Sequence, residues 1–153
     1  MDDIVYRKAR SEDLQKLVEL EESCFKLPWN EGALKSEIRD HKSKCYVVAE
    51  KDGEILAYGG LWIILDEGHI NRICVLPRYR NMHIGRGLVV ALMEESKKEG
   101  CRSFTLECRA SNEHAIRLYL SLGFKKDGVR KRYYEDDEDA VIMWYHMDET
   151  QTE

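Results

Sequence analysis

Apolar positions along the chain switch repeatedly between a period near two and a period near 3.6, and each switch marks an element. Residues 4–9 alternate weakly and predict an edge strand. Leu14, Leu17, Val18, Cys24 and Phe25 fall on one side of a helix, with Ser11 placed to cap it. Pro28-Trp29-Asn30 interrupts that pattern, and Asn30 caps a second short helix carrying Ala33, Leu34 and Ile38. The compact run Cys45 to Ala49, the hairpin signal Asp52-Gly53, and the long run Glu54 to Leu65 predict two strands and the turn between them. Asp66-Glu67-Gly68 signals another turn before His69 to Leu76, so three strands form an antiparallel meander that Pro77 ends.

Leu88, Val89, Leu92 and Met93 recur at helical spacing, and Gly100 closes that helix. Ser103 to Cys108 alternates as a strand. Ser111 or Asn112 caps a helix with Ala115, Ile116, Tyr119 and Leu122, stopped by Gly123. Phe124 to Tyr134 and Ala140 to Met147 read as strands joined by the acidic turn Glu135 to Asp139. The order is β-α-α-β-β-β-α-β-α-β-β, an α/β (α+β) chain with about seven strands and four helices. Its one strand-helix-strand crossover places two strands parallel within a mostly antiparallel sheet, and a ligand is expected at that switch in direction. No linker or repeat divides the pattern, which predicts one domain over residues 1–148 and a polar tail over 149–153.

The chain has 153 residues, enough for one continuous core. Hydrophobic residues make 43% and charged residues 35%, a balance too apolar for disorder. The net charge of −5 argues against nucleic acid as a direct partner and is compatible with a basic peptide. Cys24, Cys45, Cys74, Cys101 and Cys108 are odd in number and scattered, with no pair spaced for zinc, so they read as reduced, mostly buried thiols and no metal is expected. Asp2 and Asp3 at the start predict no secretory leader. The run Ile55 to Leu65 holds two glycines and is far shorter than a membrane span. A cytoplasmic protein, monomeric or weakly dimeric and free of membrane, is the expectation.

The stretch Ile73 to Gly87 offers free N–H groups and three arginines at the start of a helix, which is an anion cradle. It carries neither the dinucleotide fingerprint nor the nucleoside-triphosphate loop. It reads Arg80-x-x-His83-x-Gly85-x-Gly87, which resembles the pyrophosphate loop of the GNAT acetyltransferases, with His83 where that family usually has its first glycine. His adopts positive φ more readily than most residues. Leu106 to Asn112, followed by Ala115-Ile116-x-Leu118-Tyr119-x-Ser121-Leu122-Gly123-Phe124, resembles the strand and helix that close the acetyl-CoA site of the same family, and Arg132-Tyr133-Tyr134 with Glu138-Asp139-Ala140 and Ile142-Met143 adds to the likeness. Together with Phe25-x-x-Pro28-Trp29 and Leu65-Asp66-Glu67 they are similar to the RimI subgroup, bacterial enzymes that acetylate the N-terminal alanine of a small-subunit ribosomal protein, number eighteen.

The resemblance covers nearly the whole chain and implies a GNAT fold, a twisted mixed sheet flanked by four helices. It implies acetyl-CoA as cosubstrate, direct transfer in a ternary complex, and the N-terminal peptide of a ribosomal protein as partner. Glu107 matches the general base and Tyr119 the general acid. Ile73, Cys74 and Val75 match the backbone that holds the pantetheine arm. Arg80 and Arg86, with the N–H groups of Asn81, Met82, His83, Ile84, Gly85, Arg86 and Gly87, match the phosphate contacts, and Asn112 matches a cofactor contact. Trp29, Tyr133 and Tyr134 are candidates for the peptide wall. Plainer readings stand beside these: Glu107 salt-bridged to Arg109, Tyr119 as a core aromatic, Asn112 as a helix cap, Cys74 as packing, and Glu135 to Asp139 as a solvated turn or an attractor of basic peptide. Two other functions fit the same residues, a GNAT enzyme acting on lysine side chains or a small amine, and an acyl-CoA-binding module without turnover.

The chemistry favours an α-amine. At pH 7 an α-amine with pKa about 8 costs about 1.4 kcal/mol to deprotonate, against about 4.6 kcal/mol for a lysine. A carboxylate acting through water suits the first better.

Overall fold

The computed structural model describes residues 3–39 and 42–147; the predicted tail lies outside them. Strand β1 (Val5–Lys8) leads into helices α1 (Leu14–Cys24) and α2 (Glu31–Arg39). Strands β2 (Lys44–Lys51), β3 (Glu54–Ile64) and β4 (Glu67–Val75) follow as an antiparallel meander. Helix α3 (Ile84–Lys97), strand β5 (Ser103–Arg109), helix α4 (Glu113–Ser121) and strands β6 (Lys125–Arg130) and β7 (Ala140–His146) complete the chain. The seven strands lie in the order β1-β2-β3-β4-β5-β7-β6, and only β4 and β5 run parallel.

The period-two pattern of β2 divides the core between the two sheet faces. Cys45, Val47 and Ala49 join Leu88, Val89, Leu92 and Met93 of α3 and Ile116 and Tyr119 of α4. Tyr46 and Val48 join Leu17 and Leu20 of α1 and Leu34 and Ile38 of α2. Local chemistry closes the elements where the sequence predicts it. Asn30 Oδ1 accepts the Ala33 N–H at 2.8 Å, and Asn112 Oδ1 accepts that of Ala115 at 3.1 Å. Asp52 (φ 52°) and Gly53 (φ 80°) form the hairpin turn.

Four expectations are corrected. Ser11 does not cap α1; it begins a short 3-10 turn in which the Asp13 carboxylate takes the Arg10 N–H at 2.7 Å. The turn before β4 lies at Leu65-Asp66, with Leu65 at φ 57°, and Gly68 belongs to the strand. A Cβ on Gly68 would come within 2.7 Å of the Phe104 ring, so close packing rather than turning requires that glycine. Strand β6 stops at Arg130, well short of Tyr134, after a register shift between Lys126 and Gly128. Finally, Cys24 and Cys74 are joined as a disulfide with their Cα atoms 6.2 Å apart, because the end of α1 crosses directly over β4. Cys45, Cys101 and Cys108 remain buried thiols, and burial pushes Cys101 up to about 11.

Candidate active site

Strands β4 and β5 pair only between Glu67–His69 and Ser103–Thr105; beyond that they part. A bulge helps to bend β4 away: Leu61 lies opposite Ile70 and Gly60 opposite Arg72, leaving Asn71 as the extra residue. Between the diverging strands opens a cavity of about 1160 Å³, walled by residues 70–75, residues 106–109, the start of α3 and one side of α4. Five arginines line it against one carboxylate, Glu107, although the whole chain is acidic. The cavity therefore suits an anionic ligand.

The turn into α3 is built on two left-handed residues, Asn81 (φ 64°) and His83 (φ 65°), and His83 is the N-cap of the helix. His83 thus takes the conformation that a glycine would take, and the helix starts normally, with the Gly87 N–H bonded to His83 O at 3.1 Å. Arg80, Asn81, His83, Ile84, Gly85 and Arg86 line the cavity. A Cβ on Gly85 would meet nothing closer than Leu118 at 3.9 Å, so the cavity reaches right up to that backbone. The open N–H groups, the bare glycine and the arginines fit a phosphate-bearing cosubstrate such as acetyl-CoA. Met82 and Gly87 are outside the lining. Met82 is 42% exposed, and Gly87 faces Tyr6, whose hydroxyl oxygen would lie 2.2 Å from an added Cβ. Arg80 and Arg86 each hold part of the frame, Arg80 Nε bonding Val75 O at 3.0 Å and Arg86 Nη1 bonding Ser121 Oγ at 2.7 Å. His83→Gly is expected to change stability by less than about 1 kcal/mol, whereas the β-branched His83→Val costs about 1–2 kcal/mol in thermal unfolding. Equal losses from both variants would contradict the role of the left-handed turn.

Glu107 and Tyr119 both line the cavity, from β5 and α4. Glu107 Oε2 lies against Arg130 Nε, close enough for an ion pair but not aligned as a hydrogen bond. Its partner is therefore Arg130 of β6 and not Arg109. Tyr119 is 6% exposed and packs edge-on against Phe124 at 5.4 Å. Burial pushes its phenol well above the ordinary range, so it is protonated at neutral pH. Asn112 both caps α4 and lines the cavity.

The other end of the cavity is organised by residues that sequence reasoning did not single out. Glu21, fully buried on α1, accepts Arg72 Nε at 3.0 Å, Arg72 Nη2 at 2.6 Å, the Trp29 N–H at 2.7 Å and the Tyr58 hydroxyl. Burial alone would raise this carboxyl, but the bonds from Arg72, Tyr58 and Trp29 outweigh it and hold the group below the usual range. The Arg72 guanidinium lies 3.9 Å from the Phe25 ring centre and 4.2 Å from that of Trp29. Phe25 lines the cavity, and Trp29, the expected wall residue, covers Arg72 instead. Tyr134 lines the cavity, whereas Tyr133 is 51% exposed and packs on Tyr134 at 5.1 Å. The acidic run is an exposed turn, as expected, and it is also tied to β5. Glu135, Asp136 and Glu138 all wrap Arg109, and Glu138 also takes the Ser111 N–H at 2.8 Å.

Comparison with known proteins places this architecture. The sequence model described as Acetyltransferase (GNAT) family matches residues 14–124. A Bacillus subtilis (strain 168) protein provisionally named ribosomal protein bS18-alanine N-acetyltransferase is 38% identical over 144 residues, covering 94% of this chain and 95% of that one. The ribosomal protein bS18-alanine N-acetyltransferase of Escherichia coli (strain K12) is 34% identical over 134 residues, covering 86% and 89%. The crystal structure of the ribosomal-protein-S18-alanine N-acetyltransferase from Escherichia coli superposes with a TM-score of 0.84 at 31% identity, covering 95% of this chain and 94% of that one. With the parted parallel strands and the cradle between them, these matches establish that the chain belongs to the GNAT acetyltransferase family.

Proposed function

We propose that the protein moves an acetyl group from acetyl-CoA to the N-terminal amine of an alanine-initiated ribosomal protein, small-subunit protein eighteen, by direct transfer. The observation that carries the reading is one continuous cavity with an anion cradle at one end and Glu107 and Tyr119 in its walls. The bacterial relatives described above are named for that acceptor, and the chain spans nearly all of their length.

The residues divide the chemistry as follows. Asn81 to Arg86 offer the N–H groups and cations for phosphates, and β4 backbone over Ile73 to Val75 borders the slot for the pantetheine arm. The thioester supplies an activated acetyl carbon. The acceptor nitrogen, an ammonium in solution, first loses one proton toward Glu107 through water; it then forms its bond to that carbon, the carbon–sulfur bond breaks, and the nitrogen loses its second proton to solvent. Tyr119, kept protonated by burial, gives a proton to the departing sulfur and regains one from solvent.

Thiol release from acetyl-CoA tests this with three acceptors: an Ala-initiated peptide, an Nα-blocked peptide containing lysine, and a small amine. The Ala-initiated peptide is expected to turn over fastest. Turnover confined to blocked lysine peptides or to the small amine would overturn the N-terminal reading. Binding of acetyl-CoA with no turnover on any acceptor would mark a non-catalytic module.

A further inference from the structure

We infer that Arg72 is a specificity residue: the arm of its guanidinium not used by Glu21 donates to the carbonyl oxygen of the acceptor's first residue, selecting an α-amine beside a peptide carbonyl over a lysine amine. The inference rests on the N-terminal reading above and adds to it the group that recognises the acceptor.

The geometry of the fork carries the argument. A guanidinium has five N–H groups, and Glu21 takes one from Nε and one from Nη2. The Tyr58 hydroxyl also lies against this guanidinium; among the described residues the bonds to Glu21 use Nε and Nη2, and Nη1 is not among the sealed, unpartnered atoms. Arg72 lines the cavity on β4, one residue before Ile73, at the end where Phe25 and Tyr134 stand and away from the cradle at Arg80 to Arg86. Glu21 and the Phe25 and Trp29 rings fix the plane of the guanidinium before any substrate arrives. A guanidinium fixed in place, lining the cavity and holding N–H groups that Glu21 does not use, can meet an acceptor atom on the incoming chain. In an N-terminal residue the carbonyl oxygen lies next to the carbon that bears the reacting nitrogen. Beside a lysine amine there are only methylene groups, which leave the donors unmatched.

The test uses an Ala-initiated peptide and its alkene isostere, in which the first peptide bond becomes a carbon–carbon double bond and the carbonyl is lost. Wild-type protein is expected to show kcat/KM about 10–100-fold lower on the isostere. Arg72→Lys keeps a cation for Glu21 but lacks the second arm; it is expected to process both peptides at a similar low rate, with KM for acetyl-CoA unchanged. Should the lysine variant fold poorly, the paired variant Arg72→Met with Glu21→Met removes both charges together and is expected to show the same loss of discrimination. Discrimination retained in whichever variant folds would overturn the assignment of Arg72 alone. Wild-type protein that acetylates only side-chain amines would overturn the N-terminal reading and this inference together.

Discussion

Replacing Glu107 with Gln is expected to slow acetylation of an Ala-initiated peptide by about 10²–10⁴-fold in single turnover, with acetyl-CoA affinity nearly unchanged. The amide keeps the shape of the carboxylate but cannot take the proton that the amine must lose. Its deficit should shrink as pH rises past about 8, where more than about half of the α-amine is already neutral without help. Arg130 supplies the control. Because its Nε lies against Glu107 Oε2 as a counter-ion on the exposed edge strand, Arg130→Gln should cost far less than Glu107→Gln. Tyr119→Phe, which in the proposed mechanism removes the proton returned to sulfur, keeps the packing on Phe124 and is expected to slow the chemical step without loss of stability. A Glu107→Gln enzyme within about threefold of wild type in the chemical step would remove Glu107 from the mechanism.

Glu21→Ala is expected to lower stability by about 3–5 kcal/mol, because it leaves the partly buried Arg72 cation and the Tyr58 hydroxyl without their buried partner. For a chain of this size that corresponds to a fall in Tm of roughly 6–20 °C. Changing both partners to methionine should recover most of the loss, since the desolvation cost of both charges disappears together. The same pair gives an acid limb to the stability curve. The folded Glu21 carboxyl is held below its unfolded value, so its contribution is complete above about pH 4.5 and is lost as pH falls from there through the folded value. Denaturant titrations of wild type and Glu21→Met/Arg72→Met between pH 7 and pH 3 measure this. A double variant with the same acid sensitivity as wild type would assign the limb to other carboxylates.

The elements were legible wherever a cause is local. Alternation in β2, the Asn30 and Asn112 caps, the Asp52-Gly53 hairpin and the stop at Gly123 each depend on a few neighbouring residues. The failures depend on distant partners. Glu21 stands beside Glu19 and Glu22 in an acidic helix, and only Arg72, 51 positions away, distinguishes the buried one. The Cys24–Cys74 link spans 50 residues and carries no spacing signal. Likewise the exposed acidic run gave no sign of its counter-ion, because Arg109 comes from another strand. Family motifs located Glu107, Tyr119 and most of the cradle in one cavity, but motif position alone could not show that Gly87 faces Tyr6 or that Trp29 covers Arg72.

Strands β1–β4 and β5–β7 meet along three paired residues at Glu67–His69. In mechanical terms the sheet is two panels on a short joint. A molecule laid along the slot touches both panels at once and acts as a brace between them, most effectively at the end farthest from the joint. That far end is where β4 reaches Val75 and the chain turns into the Arg80 to Arg86 cradle, so bound phosphates would set the spacing of the panels while Arg72, just beyond His69, stays near the joint. Substitutions near the joint, such as those crowding Gly68 against Phe104, are therefore expected to alter the width of the slot as well as the stability of the sheet.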